Sequence, residues 1–321
     1  MTMELLAPAK INLGLEVIRR RDDGYHDIAT VLQTITVFDR VRLRAADRDE
    51  VQIVDRIIQI EANLAARAIE LATASGLTKG HHRVEIEKRI PIAAGLGGAS
   101  ADAAAVLRGL CTGDACDRRK LAELALHLGS DVPFLLHGGA ALATGRGEVL
   151  ESLSSLQGCW LVLASPDVEL ERKTTRLYGA LRAEDFSDGS GAMRVAEALK
   201  QRALPTPSDL HNAFARALST FIPEIDEVVG RFRHAGAPFV ALSGAGPTHF
   251  TIVPTLSEAI SLSAQLTRRP PLPMRVLVAR PAPSGMQLRR HKTHGSTAAL
   301  QNETAASSIA APPRSIRRRT H

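Results

Sequence analysis

A glycine-rich stretch that begins at Ile90, "IPIAAGLGGASADAAAVLRGL", constrains the fold more than any other part of the chain. It follows "VEIEK", where apolar and charged residues alternate as in a β-strand, and it ends in an alanine-rich run that predicts a helix. Gly95, Gly97 and Gly98 have no Cβ, so the backbone can adopt positive φ and can lie close to a bulky ligand. A helix N-terminus favours phosphate through its free N–H groups. We therefore predict a phosphate-binding turn, with the Ser100 hydroxyl as the helix cap.

The turn does not match two common nucleotide-binding motifs. No Gly-Lys-Ser/Thr follows it, which excludes a Walker P-loop, and Gly-x-Gly-x-x-Gly is not met at residues 95–100, which excludes a Rossmann fingerprint. Taken alone, the stretch fits a purely structural turn as well as a phosphate site.

Polar residues elsewhere accompany the glycine stretch. Lys10 and Asn12 lie two residues apart in "APAKINLGL", a spacing that places both on one face of a predicted strand. Tyr25 and His26 follow the Asp-Gly turn of "RRDDGYHDI". Asp131 lies in "LGSDVPFLLHGGAA", just before an apolar run, where a helix cap or a turn residue is also an ordinary interpretation.

Charge and hydropathy limit the class of protein. The net charge of +6 comes entirely from the segment after residue 287, and the rest of the chain has 33 basic and 33 acidic residues. A neutral body argues against broad nucleic-acid binding by the folded part. No apolar run is long enough to span a bilayer, and the N-terminus is not a signal peptide, so we predict a cytoplasmic protein that binds no membrane. Three cysteines without Cys-x-x-Cys spacing argue against a disulfide framework and a zinc site.

Periodicity predicts an α+β fold in two domains. Strands and helices alternate in both halves, and the boundary between the halves lies near residues 154–158. We predict an N-terminal domain at 1–156, a C-terminal domain at 157–287 and a disordered basic tail at 288–321, where large apolar side chains are few.

Five segments in order, "PAKINLGL", "DGYHDI", "PIAAGLGGASADAA", "LGSDVPFLLHGGAA" and "LSGAGPTHF", resemble the GHMP kinases. The resemblance covers residues 3 to about 285. Within the family it is to members that phosphorylate a cytidine diphosphate-linked methylerythritol, because other members keep the glycine loop but not the Gly-Tyr-His element. It implies a ribosomal protein S5-like N-terminal domain, a ferredoxin-like C-terminal domain, ATP as phosphoryl donor and Mg²⁺ with the ATP. A dedicated metal site on the protein and the oligomeric state (monomer or weak dimer) are not predicted.

The resemblance also assigns roles to residues of this sequence. Asp131 matches the general base and Lys10 the neighbouring cation. Asn12, Tyr25, His26, Thr174 and Tyr178 match the substrate pocket, where the two tyrosines would sandwich the cytosine ring, although Tyr178 could equally be packed in the core. The ATP loop comprises Pro91, Ile92, Ala93, Ala94, Gly95, Leu96, Gly97, Gly98, Ala99, Ser100 and Ala101.

The sequence departs from the family pattern in the loop. Ala99 replaces a glycine, and Ala101 stands where some members have serine, so a metal contact from a second hydroxyl would be lost. The segment "ELERKTT" leaves the alignment of Thr174 and Tyr178 uncertain by a residue or two. The Ser243–Thr248 glycine motif borders the active site in the family, in a role that the sequence does not reveal.

Two alternatives remain open. A GHMP kinase that acts on homoserine, mevalonate or a sugar would explain the loop and Asp131 but not "DGYH" with Tyr178. A nucleic-acid-binding protein acting through the basic tail would explain neither the neutral body nor the combination of Lys10 and Asp131.

Overall fold

Two β-sheets organise the residues that the computed structural model describes, which are 2–54, 63–112, 116–168, 170–268, 272–284 and 287–290. The strands of the first sheet are β1 (Met3–Arg20), β2 (His26–Ala46), β3 (Glu50–Val54), β4 (His81–Glu87), β5 (Ala140–Thr144), β6 (Val149–Leu153) and β11 (Gln287–Arg290). The strands of the second sheet are β7 (Trp160–Pro166), β8 (Ala241–Leu242), β9 (His249–Val253) and β10 (Met274–Ala279).

The first sheet is built around β1 and β2, the two longest described strands. Its order is β11-β1-β2-β4-β3, with β5 paired to β2 and β6 to β5, and the second sheet runs β10-β7-β9-β8. In the described ladders β3 and β4 are parallel and the other pairs antiparallel. The β1–β2 register shifts between Asn12 and Leu15, where Gly14 has a φ of 83°, so the strand bulges immediately after the predicted site residues.

Nine helices cover the sheets in the described residues. They are α1 (Leu64–Ala74), α2 (Gly98–Leu110), α3 (Arg118–Leu128), α4 (Asp131–His137), α5 (Lys173–Gly179), α6 (Ser190–Lys200), α7 (Ala215–Phe221), α8 (Glu224–His234) and α9 (Leu256–Thr267). Short polar side chains begin three of them: Asn63, Asp117 and Thr255 each accept a backbone N–H of the first turn. α2 packs against β1, α1 and α4, and its alanines at 101, 103, 104 and 105 are buried in the main core. The small alanine side chains let this helix approach the sheet closely.

The sheets agree with the α+β prediction, and the contacts join the described residues up to 290 into one compact unit. The strands pass from the first sheet to the second between β6 and β7, and α6, from the second half of the chain, packs on β1 and β2. The domain boundary at 156 therefore stays a prediction. The predicted tail began at 288, but residues 287–290 pair with β1 as β11; the remainder of that tail lies outside the described residues.

Two other expectations differ from the structure. Cys111 and Cys116 form a disulfide, contrary to the inference from cysteine number and spacing; the two residues are five apart in the sequence, and the fold places their Cα atoms 4.9 Å apart at the end of α2, which a count of cysteines does not reveal. Helix α2 begins at Gly98 rather than Ser100, and Gly97 occupies the cap position. No described helix has the length and apolar character needed to cross a bilayer.

Candidate active site

Lys10 lies buried in β1 with its ammonium group fixed by neighbouring polar atoms. Its Nζ donates to Asn12 Oδ1 over 2.6 Å, and Asn12 Nδ2 in turn donates to Thr30 Oγ1 over 2.9 Å. Thr30 Oγ1 donates to the carbonyl oxygen of Gly14, in the bulge that follows. This chain of hydrogen bonds orients the Asn12 amide with its oxygen towards Lys10. The structure thus brings together the two residues whose spacing predicted a shared face.

Asp131 is the first residue of α4 and lies opposite Lys10. Its Oδ2 is 3.5 Å from Lys10 Nζ, and 36% of its side chain is exposed, compared with 6% for Lys10. Ser130 takes the cap position, and its side chain makes no capping hydrogen bond. The Asp131 carboxylate is therefore paired with a cation on one side and open to solvent on the other, an arrangement that allows it to accept a proton from a ligand hydroxyl.

The glycine loop passes beside Lys10 before α2 begins. The Lys10 backbone N–H donates to the carbonyl oxygen of Leu96 over 2.9 Å. Gly97 has a φ of 72°, and a Cβ at this position would lie 2.9 Å from Lys10 Cγ. The left-handed cap requires glycine, which is why the helix starts at Gly98 and leaves Ser100 in its first turn. The absence of a side chain at 97 thus makes room for Lys10, a reason for glycine that the sequence did not reveal.

The Ser243–Thr248 motif supports the glycine loop from the other side. Ser243 Oγ donates to the carbonyl oxygen of Gly95 over 3.1 Å, and the Thr248 N–H donates to that of Ala94 over 3.2 Å. A Cβ at Gly95 would lie 2.3 Å from the Ser243 carbonyl oxygen, so the two segments touch through bare backbone. A Cβ at Gly244 would lie 3.2 Å from Lys10 Nζ. Two glycine segments about 150 residues apart therefore enclose one lysine.

Lys173, the first residue of α5, also reaches both glycine segments. Its Nζ donates to the carbonyl oxygens of Ala93 and Gly246. Burial, together with the nearby charge of Lys10, lowers the pKa of Lys173 to about 8. The sequence analysis did not single out this residue, because one lysine in the polar run "ELERKTT" carries no signal of its own.

The residues predicted to bind the substrate lie at two separate places in the structure. His26 and Tyr178 stack on each other with ring centroids 4.5 Å apart, and Phe214 meets Tyr178 edge-on at 4.9 Å. Burial, with a smaller contribution from the Asp131 charge, raises the pKa of Tyr178 to about 12. This aromatic cluster therefore lies on the Asp131 side of the site.

Tyr25 does not face Tyr178 in the structure. Its side chain is 57% exposed, and the guanidinium of Arg146 lies 4.9 Å from its ring centroid. Thr174 is exposed one helical turn before Tyr178 on α5. Burial lowers the pKa of His26, so its ring is neutral near pH 7 and can act as a hydrogen-bond donor or acceptor. The structure groups His26 with Tyr178 and leaves Tyr25 at the surface.

A second lysine cluster lies at the start of α2. Lys88 Nζ donates to Asp39 Oδ2 over 2.5 Å and to Asp102 Oδ2 over 2.6 Å, and all three side chains are buried or nearly so. Asp39 Oδ1 also accepts the backbone N–H groups of Arg89 and Ile90, at the entry to the glycine loop. The cluster therefore ties the end of β4 to the first turn of α2 and fixes both ends of the loop.

The oxygen donors of the site suit a magnesium ion that arrives with a nucleotide. Mg²⁺ is usually bound by one or two carboxylates, substrate phosphates and water. The half-exposed Asp131 carboxylate and the Ser100 hydroxyl are the protein oxygens that could take part, and Ala101 offers no further hydroxyl. The described residues contain no group of three or more His, Cys, Asp or Glu side chains placed to hold a metal.

Two protein-family profiles match the chain. The profile for the GHMP kinases N terminal domain matches residues 63–139, and the profile for the GHMP kinases C terminal matches residues 195–271. The first match contains the glycine loop and Asp131, and the second contains the Ser243–Thr248 motif.

Several curated relatives are similar over most of their length, and each is named 4-diphosphocytidyl-2-C-methyl-D-erythritol kinase. The relative from Dehalococcoides mccartyi is 39% identical over 78% of this chain and 89% of its own. The relative from Gloeobacter violaceus is 39% identical over 84% and 92%, and that from Bacillus subtilis is 37% identical over 77% and 86%.

Solved structures agree with these relatives. The crystal structure of a 4-(cytidine 5'-diphospho)-2C-methyl-D-erythritol kinase is 35% identical, with a TM-score of 0.73 over 86% of this chain and 98% of that chain. Homoserine kinase from Cytophaga hutchinsonii reaches a TM-score of 0.70 over 90% and 97% at 18% identity, which shows a shared fold alone. The two-domain α+β architecture that the resemblance implied is confirmed.

Proposed function

The chain belongs to the GHMP kinase family as an ATP-dependent small-molecule kinase, and on this basis we propose that it phosphorylates 4-diphosphocytidyl-2-C-methyl-D-erythritol. The acceptor is the 2-hydroxyl of the methylerythritol unit, and the product enters the non-mevalonate route to isoprenoid precursors. The relatives that bear this substrate in their names cover more than three quarters of the chain, which supports the choice of acceptor.

The single observation that carries the chemistry is the pairing of Lys10 with Asp131 beside the glycine loop. In phosphoryl transfer the protein contributes mainly by positioning the reactants and stabilising charge. Asp131 accepts the proton of the attacking hydroxyl through its open carboxylate side. Lys10 lies 3.5 Å from the Asp131 carboxylate and offsets the negative charge on the transferred phosphoryl group.

The glycine loop, residues 91–101, binds the phosphates of ATP. Gly95 and Gly97 have positive φ, and α2 presents the free N–H groups of its N-terminus directly after them. Mg²⁺ bound to the nucleotide would shield the phosphate charge, with Asp131 or Ser100 as possible protein ligands. The loop is held rigidly, because the Ser243–Thr248 motif and the Lys88 cluster both hydrogen-bond to it or to its ends.

The cytosine ring binds at the aromatic cluster of His26 and Tyr178. Both rings lie on the Asp131 side of the site, and a flat base can stack on either of them. Asn12 and Thr174 supply hydrogen bonds to the substrate. Tyr25 would have to move from its exposed position to cover the base, and the sandwich of two tyrosines therefore stays a prediction.

A coupled assay of ADP release tests the proposed reaction. Turnover with 4-diphosphocytidyl-2-C-methyl-D-erythritol should exceed that with mevalonate or homoserine by orders of magnitude at equal concentration. Comparable or higher turnover with either competitor would reject the proposed acceptor.

Titration of the cytidine substrate into leucine variants tests the aromatic pocket. Tyr178→Leu should weaken binding about 5- to 150-fold, as expected for loss of one stacked base. Tyr25→Leu provides the matched comparison: equal weakening would show that Tyr25 closes over the base, and no weakening would exclude it from the pocket. If Tyr178→Leu leaves the affinity unchanged, the nucleobase binds elsewhere.

A further inference from the structure

Lys173 places a positive charge between the two glycine segments that enclose the proposed phosphate site. Its Nζ donates to the carbonyl oxygen of Ala93, in the loop before α2, and to that of Gly246, in the second motif. A lysine ammonium has three donors, and these two carbonyls use two of them. The third donor remains available for a ligand that lies against the loop.

Lys10 and Lys88 each have a carboxylate partner, and Lys173 has none among the described residues. Lys10 faces Asp131, and Lys88 contacts two aspartates. Lys173 contacts two neutral carbonyls, and across the described parts of the chain no carboxylate lies within ion-pair distance of it. Partial burial of an ammonium beside a second cation is unfavourable unless an anion compensates for it.

We propose that Lys173 is a phosphate-binding residue, whose ammonium pairs with phosphate oxygens of the nucleotide lying on the glycine loop. The assignment rests on the proposed function only in taking this loop as the ATP phosphate site. The phosphates supply the negative charge that the described residues do not place beside Lys173, and Lys10 and Lys173 then neutralise them from two sides. Lys173 also links nucleotide binding to α5, the helix that carries Thr174 and Tyr178.

Binding of an anion at this position has a consequence for pH. In the free protein the pKa of Lys173 is lowered to about 8 by burial and by Lys10. A bound phosphate favours the charged form and raises that pKa, so binding is coupled to proton uptake as the pH passes 8. Nucleotide affinity therefore falls as the pH rises above 8.

Few other ionisable side chains lie close enough to Lys173 to cause this pH dependence of nucleotide affinity. The loop residues 91–97 and the motif residues 243–248 contain no ionisable side chain. β1 contributes Lys10, and α4 contributes Asp131 as the partner of Lys10. Glu171 and Arg172, which precede Lys173 in the chain, are exposed.

Isothermal titration of the full-length protein with a non-hydrolysable ATP analogue tests the assignment at pH 7 and pH 9. Lys173→Met should weaken binding about 10- to 100-fold at pH 7, as for the loss of one charge-assisted hydrogen bond. The unmodified protein should lose up to about tenfold between pH 7 and pH 9, and Lys173→Met should lose less. Lys79→Met, at an exposed position, is the matched control and should behave like the unmodified protein.

Lys173→Arg separates a charge effect from a structural one. Its guanidinium remains charged at both pH values, so binding should be largely retained and the loss between pH 7 and pH 9 should disappear. Thermal unfolding without ligand identifies any variant that fails to fold, and if Lys173→Met does so, the arginine variant decides the matter through its pH profile.

Two results would overturn the assignment: analogue affinity of Lys173→Met equal to that of the unmodified protein, or an unchanged pH dependence in Lys173→Arg. The proposed acceptor is tested independently by turnover. If the analogue binds as expected but the cytidine substrate is not phosphorylated, the acceptor is wrong and the role of Lys173 stands.

Discussion

Two buried lysines lie next to two consecutive glycines at the start of α2, and they differ in what surrounds them. Lys10, beside Gly97, pairs with Asp131 at 3.5 Å, and that carboxylate is open to solvent. Lys88, beside Gly98, contacts two carboxylates at 2.5 and 2.6 Å, and neither is open to solvent.

The charges of the Lys88 cluster are paired within the protein, whereas the Lys10–Asp131 pair leaves one side of its carboxylate accessible to a ligand. Burial by itself would lower the pKa of Lys88, but Asp102 and Asp39 together raise it. Burial raises the pKa of Asp102 to about 7, although the Lys88 ammonium opposes this. The Asp102 Oδ1 atom is buried and has no hydrogen-bond partner among the described residues. The same types of residue therefore form a closed structural cluster in one place and, in our proposal, the catalytic pair in the other.

The largest expected effect is the loss of turnover in Asp131→Asn. If the open pair is catalytic, removal of its base should lower kcat about 10²–10⁴-fold, while the KM values and the stability change little. Steady-state kinetics with both substrates, together with urea unfolding, measures the two quantities. A kcat near that of the unmodified protein would show that Asp131 is not the base.

Lys88→Met should act on stability instead. Removal of the cation leaves two buried carboxylates side by side, which should lower the free energy of unfolding by about 3–5 kcal/mol. Lys79→Met, an exposed lysine, should stay within about 0.5 kcal/mol. Chemical denaturation measures both. If Lys88→Met lost kcat at unchanged stability, the distinction between the two clusters would fail.

The adjacent glycines provide a finer test. Gly97→Ala requires alanine to hold a φ of 72° against Lys10 Cγ, which should cost about 1–3 kcal/mol and raise the KM for ATP. Gly98 has ordinary helical φ, and its Cβ would meet Ile90 Cγ2 at 3.1 Å and Lys88 Nζ at 3.3 Å, contacts that small shifts can relieve. Gly98→Ala should therefore change the KM less. Equal effects on the KM would contradict different roles for the two positions.

A final expected effect is a pH dependence of stability that comes from Asp102. Its pKa in the folded protein, about 7, lies above its value in the unfolded chain, about 3.9. The contribution of Asp102 to the free energy of unfolding is therefore fully present below pH 4 and is lost as the pH rises to 7. The slope from this single group is at most about 1.4 kcal/mol per pH unit. Asp102→Asn removes this contribution. Carboxylates with a lowered pKa, such as Asp27 and Asp185, make the unfolding free energy rise with pH, and they do so equally in the unmodified protein and in the variant. Unfolding free energies from pH 4 to pH 8 should therefore converge or cross; parallel curves would contradict the buried, protonated state of Asp102.

The local features of this protein could be predicted from its sequence. The strand before the glycine loop, the helix after it and the α+β class are as expected, and the family was identified from five short segments. These features depend on periodicity of two or 3.6 residues, on glycine and on neighbouring residues, which are local properties of the chain. Lys10 and Asn12 contact each other because their separation of two residues equals the period of a β-strand.

Only the tertiary structure decided which distant side chains meet. Lys173 reaches Ala93, Ser243 reaches Gly95, and His26 rather than Tyr25 stacks on Tyr178. Asp39, Lys88 and Asp102 converge from β2, the end of β4 and α2. No periodicity connects these residues, since their contacts depend on how sheets and helices pack. The sequence therefore determined the glycine loop and the family. The packing of sheets and helices determined that Lys10, Lys88 and Lys173 lie beside that loop.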